Sequence, residues 1–195
     1  MTTPKRALIV VDVQNDFCPG GTLAVPHGDD VVEPLNQMIG EFLDRGEPVY
    51  KSRDWHPATT KHFADYGGVW PVHCVQNTKG AEFHPALRDD PRITVISKGV
   101  GDTDCYSAFD ETDLLDQLHK QNVEEVFVGG LATDYCVKST VLDALKHGFR
   151  VKALENAMRA VDVQPGDGER AIEQMRDAGA QIVSTDKSVK SAKSA

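Results

Sequence analysis

The stretch GGLATDYCVKS (residues 129–139) sets a cysteine a few positions after a small-residue turn that closes an apolar run. Free cysteine usually packs as a small buried hydrophobe, so Cys136 acquires meaning only from its position. Thr133 or Asp134 suits a helix N-cap, which puts Cys136 in the first turn of a helix continued by Val137 and Val141. Unpaired N–H groups and aligned dipoles at such a terminus favour a thiolate. The same N–H groups, with one from the Leu131–Ala132 turn, could receive the oxyanion formed when sulfur adds to a carbonyl. Asp12, which follows ALIVV, is either a strand-end cap or a base that takes the thiol proton and hands it to a leaving amine. Lys98, which follows ITVIS, is either a solvated lysine or the cation that orients this carboxylate and steadies the thiolate. Such a Cys-Asp-Lys site needs no histidine, unlike a Cys-His pair.

A second group of residues suits a metal. Asp54 and His56 of DWH, with His73 of VHC, make one carboxylate and two imidazoles, a ligand set for zinc, iron or manganese that leaves positions open. Spacing does not exclude His62 and His84, and seven histidines in the chain make chance combinations easy. The aromatics Phe17, Trp70 and Tyr106 fall near the same segments and could wall an apolar pocket for a planar ring.

These side chains must be positioned by short elements. Six β-branched runs recur: ALIVVDV, PVYKSRD, ITVISK, EVFVGG, RVKAL and QIVST. The first lacks polar alternation, the mark of a strand covered on both faces. Helical spacing links Val31, Val32, Leu35, Met38, Ile39, Phe42 and Leu43 up to Gly46, then Leu114, Leu115 and Leu118. It recurs in Val137, Val141, Leu142 and Leu145, and in Ala171, Ile172, Met175 and Ala178 before Gly179. Strand and helix in alternation predict a three-layer α/β/α fold with an open, six-stranded, mostly parallel sheet. Ligands of such sheets gather beyond the carboxyl ends of the strands, where strand order reverses. Asp12, Asp54, His56, Lys98 and GGLATDYC all fall at strand ends, so the fold class gathers them in one crevice. The stretch from about 55 to 91, rich in Pro, Gly, His and aromatics, shows no period, and a connection of that length is usually functional.

Composition narrows the class. With 195 residues the chain suits one domain, 1–195, able to bury roughly 70% of its unfolded surface without disulfides or a structural metal. A formal charge of −9 argues against nucleic acid or anionic membranes as partners. No apolar stretch approaches the ~20 residues that span a bilayer, and the N-terminus lacks a signal-peptide layout. Four scattered cysteines without a CxxC pair read as free thiols in a cytoplasmic protein. The tail at about 187–195 is expected to fray. No GxGxxG follows the first strand, which disfavours a dinucleotide-binding domain.

Several motifs in order, ALIVVDVQNDFCPGGTLAV, SRDWHP, WPVHCVQNTKGAEFHP, the KG of VISKGV and GGLATDYCVKSTVLDAL, resemble the nicotinamidase (pyrazinamidase) family of isochorismatase-like cysteine hydrolases. The resemblance covers nearly the whole chain. It implies a catalytic triad of Asp12, Lys98 and Cys136, and one divalent metal (zinc, iron or manganese) on Asp54, His56 and His73. It further implies oxyanion donors at the N–H groups of Ala132 and Cys136 beside a cis peptide between Leu131 and Ala132. The aromatic pocket it implies is Phe17, Trp70 and Tyr106, with Leu23 contributing. The expected reaction is deamidation of nicotinamide to nicotinate through a cysteine thioester, in NAD salvage, with self-association left open. The rival within the superfamily is an amidase acting on a carbamoyl or acyclic amide, whose members commonly lack the DxH…H set. The rival from another class is a flavodoxin-like binding domain.

Overall fold

The computed structural model describes residues 4–185, so the tail expected to fray lies outside the described residues. Among the described residues six strands form one sheet: β1 Arg6–Val11, β2 Val49–Asp54, β3 Thr94–Lys98, β4 Glu125–Leu131, β5 Arg150–Arg159 and β6 Gln181–Val183. Their order is β3-β2-β1-β4-β5-β6, and every pairing is parallel.

The apolar run of β1 explains its central place. Ala7, Ile9 and Val11 pack on one face of the sheet, Leu8 and Val10 on the other, and none retains solvent contact. A strand of that composition is stable only where both faces are covered. Helix α1 (Val32–Asp44) covers the Leu8 and Val10 face with Leu35, Met38, Ile39 and Phe42. The opposite face is covered by α2 (Leu114–Lys120), α3 (Lys138–Lys146) and α4 (Asp167–Asp177), through Leu114, Leu118, Val141, Ala144 and Met175. Between β2 and β3 the chain instead carries two short 3-10 turns, Ala64–Tyr66 and Lys79–Ala81.

Strand order reverses between β1 and β4, and the two strands approach closely there. Gly130 has φ +128°, and a Cβ at this position would overlap the Val11 carbonyl. Only glycine suits both the backbone conformation and the space.

Two elements differ from the sequence pattern. β5 continues past the RVKAL run to Arg159: Val128 pairs with Ala153 but Gly130 with Met158, so β5 bulges between them and resumes. The bulge absorbs the polar Glu155 and Asn156 that end the apolar pattern. The helix expected to start at Thr133 or Asp134 starts as a π-helical turn, Thr133–Val137, and no side chain caps it. The Asp134 carboxylate turns away and accepts the N–H groups of Val161 (2.9 Å) and Asp162 (2.9 Å).

Candidate active site

Asp12 is the first residue beyond β1 and takes a left-handed conformation (φ 49°), with its N–H on the Ser52 carbonyl of β2 (3.2 Å). Ser52 Oγ donates to Asp12 Oδ1 at 2.7 Å. Lys98 ends β3, two strands away, and its side chain is fully buried. Its Nζ lies 3.0 Å from Asp12 Oδ2 and 3.5 Å from Cys136 Sγ, and it donates to Asp54 Oδ1 and to the Cys105 carbonyl. One carboxylate oxygen of Asp12, one of Asp54 and the Cys136 sulfur lie within 4.8 Å of one another. Among the described residues Asp12 Oδ2 is buried beside the ammonium, with no donor in hydrogen-bond geometry. The three residues named from the sequence as a triad are thus brought together.

Burial controls the charges. It works against the Lys98 ammonium, but Asp12 and Asp54 together raise its pKa well above the ordinary value, so it stays charged. Burial raises the Asp12 carboxyl, opposed by Lys98. Burial also raises the Cys136 thiol well above its usual range, opposed by Lys98 and assisted by Asp12. Desolvation and the two carboxylates therefore work against the thiolate that the helix terminus favours, and Lys98 works for it.

A few ångströms away the carboxylate of Asp54 meets the imidazoles. Its Oδ2 is 3.5 Å from His56 Nε2 and 3.9 Å from His73 Nε2. Burial opposes its ionisation, yet the Lys98 ammonium holds it well below the usual carboxylate range. Gln14 clamps the end of β2: its amide donates to the Asp54 carbonyl (2.8 Å) and accepts the Asp54 N–H (2.8 Å). His56 Nδ1 faces the Gly99 carbonyl (3.1 Å) and His73 Nδ1 the Pro71 carbonyl (2.7 Å). Those carbonyls fix the Nδ1–H tautomer and turn both Nε2 lone pairs inward. Burial lowers the His73 pKa to about 4, which keeps its ring neutral. Among the described residues His56 Nε2 is buried with no hydrogen-bond partner. An orphaned, inward-facing imidazole nitrogen beside an ionised carboxylate is what a divalent cation fits.

Spacing could not rank His62, and the structure places it here. Ligand atoms of His56, His62 and His73 lie within 4.8 Å of one another, and the His62 ring stacks on His56 with centroids 4.6 Å apart. Asp104, across the crevice, hydrogen-bonds His62 Nδ1. His84 lies elsewhere, with Nδ1 accepting the Ala86 N–H (3.3 Å).

Between these two groups lies a pocket. All four sequence-derived pocket residues, Phe17, Leu23, Trp70 and Tyr106, line it, together with Cys136, Ala132, Asp54, His62 and His73. Trp70 Nε1 donates to Tyr106 Oη (2.9 Å), fixing one aromatic wall. Sequence reasoning missed Tyr135, Val25 and Val161, which also line the pocket. Tyr135 packs edge-on against Trp70 at 4.9 Å between centroids. Tyr135 adjoins the cysteine, a signal that was available; Val161 arrives only through the extension of β5. The Leu131–Ala132 peptide is cis. Among the described residues the Ala132 N–H has no acceptor within the protein.

The isochorismatase domain description matches residues 6–187. The chain is 44% identical to a nicotinamidase of Escherichia coli strain K12, over 92% of this chain and 94% of that one. It is 39% identical to a nicotinamidase/pyrazinamidase of Mycobacterium tuberculosis, over 91% and 98% of the two chains. Among solved structures, the pyrazinamidase of Pyrococcus horikoshii in complex with zinc superposes with a TM-score of 0.88 at 46% identity, covering 93% of this chain and 99% of that one.

Proposed function

The chain belongs to the isochorismatase family, and on that premise we propose that it is a metal-dependent nicotinamidase: nicotinamide + H2O → nicotinate + NH3, a step of NAD salvage. Pyrazinamide, also a planar ring bearing a carboxamide, is a second substrate. The observation that carries the reading is the juxtaposition in one aromatic-walled pocket of a buried Asp12–Lys98–Cys136 cluster and an inward-facing histidine and carboxylate group.

Asp54, His56 and His73 would hold the divalent metal, with His62 in reach as a further imidazole. A bound ion would supply fixed positive charge beside the substrate; zinc, present in the Pyrococcus horikoshii relative, is favoured, and the donors also suit iron and manganese. Phe17, Leu23, Trp70, Tyr106 and Tyr135 hold the flat ring, leaving the carboxamide over Cys136. Holding a rigid substrate in attack geometry can contribute orders of magnitude in rate.

Asp12 takes the thiol proton as the sulfur adds to the carboxamide carbon, so that charge moves between groups and no exposed thiolate is needed at rest. The oxyanion is received by the N–H groups of Ala132 and Cys136. Asp12 returns the proton to the departing nitrogen, the C–N bond breaks and ammonia leaves a thioester. Water, deprotonated by Asp12, then adds to the thioester carbon, and the C–S bond breaks to release nicotinate and the thiol. Lys98 stays charged throughout and offsets the negative charge that passes between Asp12 and the sulfur.

No helix among the described residues is long and apolar enough to cross a membrane. With four free cysteines and an acidic chain, we place the reaction in the cytoplasm, with the small-molecule substrate as partner and no nucleic acid. The test is Cys136→Ala. Ammonia release from nicotinamide should fall by on the order of 10⁴-fold or more, while calorimetry still detects nicotinamide binding. A C136A protein that turns over at the wild-type rate overturns the reading.

A further inference from the structure

Asp16 is a buried carboxylate that touches neither the thiol cluster nor the metal-holding atoms, and among the described residues no cation pairs with it. It sits in the 3-10 turn Asn15–Phe17, directly before Phe17. Its Oδ2 accepts the N–H of Cys74 at 2.7 Å and its Oδ1 faces the N–H of Thr22 at 3.4 Å. Both partners belong to segments that build the site.

On one side is the loop that forms the pocket wall. The Asp16 carbonyl accepts the Leu23 N–H (3.0 Å) and the Phe17 carbonyl the Val25 N–H (3.0 Å), so the loop winds back over the turn. Phe17, Leu23 and Val25 all line the pocket. On the other side is Cys74, which follows His73, and whose carbonyl accepts the His56 N–H at 3.0 Å. Cys74 therefore joins the backbones of two metal-holding histidines, and the Asp16 carboxylate holds Cys74. The Phe17 and His73 rings lie against each other, with centroids 5.5 Å apart.

We propose that Asp16 is a positioning residue whose carboxylate ties the turn carrying Phe17 to the peptide between His73 and Cys74, setting metal ligand and aromatic wall relative to each other. This rests on the reading of the site given above. A carboxylate suits the task because it accepts both N–H groups through charge-assisted bonds. An asparagine of the same shape turns an NH2 group toward one of those donors. Gly80, in the facing turn Lys79–Ala81, leaves the space the carboxylate occupies: a Cβ there would overlap it.

The experiment compares wild type with Asp16→Asn and Gly80→Ala. Zinc affinity is measured by competition with a chromophoric chelator, the visible spectrum is recorded with cobalt(II), and kcat and KM for nicotinamide are taken at saturating metal. Asp16→Asn should weaken zinc binding by about 10- to 100-fold, alter the cobalt spectrum and raise KM more than it lowers kcat. Gly80→Ala, which changes neither a ligand nor a pocket residue, should reproduce the loss in the same direction. Wild-type zinc affinity and cobalt spectrum in a folded Asp16→Asn protein overturn the proposal, even with a lowered melting temperature, because only stability would then have changed. If Asp16→Asn fails to fold, Gly80→Ala decides by the same criterion. A wild type that binds no metal and releases no ammonia overturns the proposed function itself; an active, metal-binding wild type with unchanged variants overturns only the role of Asp16.

Discussion

At the scale of single residues Lys98 has the most at stake. Its ammonium is fully buried and shared among Asp12, Asp54 and Cys136. Removing one partner of a buried ion pair costs about 3–5 kcal/mol, because the remaining charge has no compensation. Here two carboxylates would be left facing each other. Lys98→Met, which keeps the length of the stem, should lower unfolding free energy by about that amount and depress kcat on the order of 10³-fold. Urea unfolding alongside ammonia release checks both, and a K98M enzyme of wild-type stability would contradict the buried-charge account. That Asp12, Lys98 and Cys136 would lie together was legible in the sequence because each falls at or just beyond a strand end, where an α/β sheet collects its ligands. His62 was not, because it lies in a segment without period and is held by Asp104 from beyond β3. The depth of the crevice around Cys136 was also illegible: local position favours the thiolate, and burial works against it.

At the scale of elements the π-helical turn Thr133–Val137 and the end of β5 behave as one unit, joined by Asp134. Sequence pattern offered Asp134 as a helix cap, since a short acidic side chain before an apolar run usually binds the following N–H groups. The extra length of β5 gives it other donors. The polar Glu155 and Asn156 hid that length by ending the apolar run, whereas the uninterrupted run of β1 and the heptad-like spacing of α1 disclosed their elements directly. Asp134→Ala leaves the N–H groups of Val161 and Asp162 without their acceptors. Both residues retain some solvent contact, so the expected loss is about 1–3 kcal/mol in total. Val161 lines the pocket, so KM for nicotinamide should rise as well. Chemical denaturation and steady-state kinetics on one preparation test this, and an unchanged KM would detach the β5 end from the substrate wall.

At the scale of the molecule the site joins parts with very different support. Asp54 belongs to the sheet, but His56, His62 and His73 lie on the 55–91 segment, whose regular structure is limited to short turns. The sequence marked this segment as functional by its length and composition, yet its path depends on long-range partners: Asp16 for Cys74, Gln14 for the end of β2, Gly99 for His56. On the proposed ligand set, a metal bound across Asp54 and the imidazoles would add one more link between segment and sheet, made only in the folded state. Ligand linkage then gives about 2.7 kcal/mol at free metal a hundredfold above Kd. For a chain of this size each kcal/mol moves the melting temperature by roughly 2–4 °C. Stripping the protein with a chelator should therefore lower its melting temperature by about 5–10 °C and abolish ammonia release, with both restored by zinc. Asp54→Ala should gain less from added zinc than wild type does, because three imidazoles remain but the carboxylate that ties them to the sheet is gone. Superimposable melting curves for stripped and zinc-loaded wild type, with metal content confirmed by elemental analysis, would show that the segment holds its fold without the ion and that the metal serves substrate binding alone.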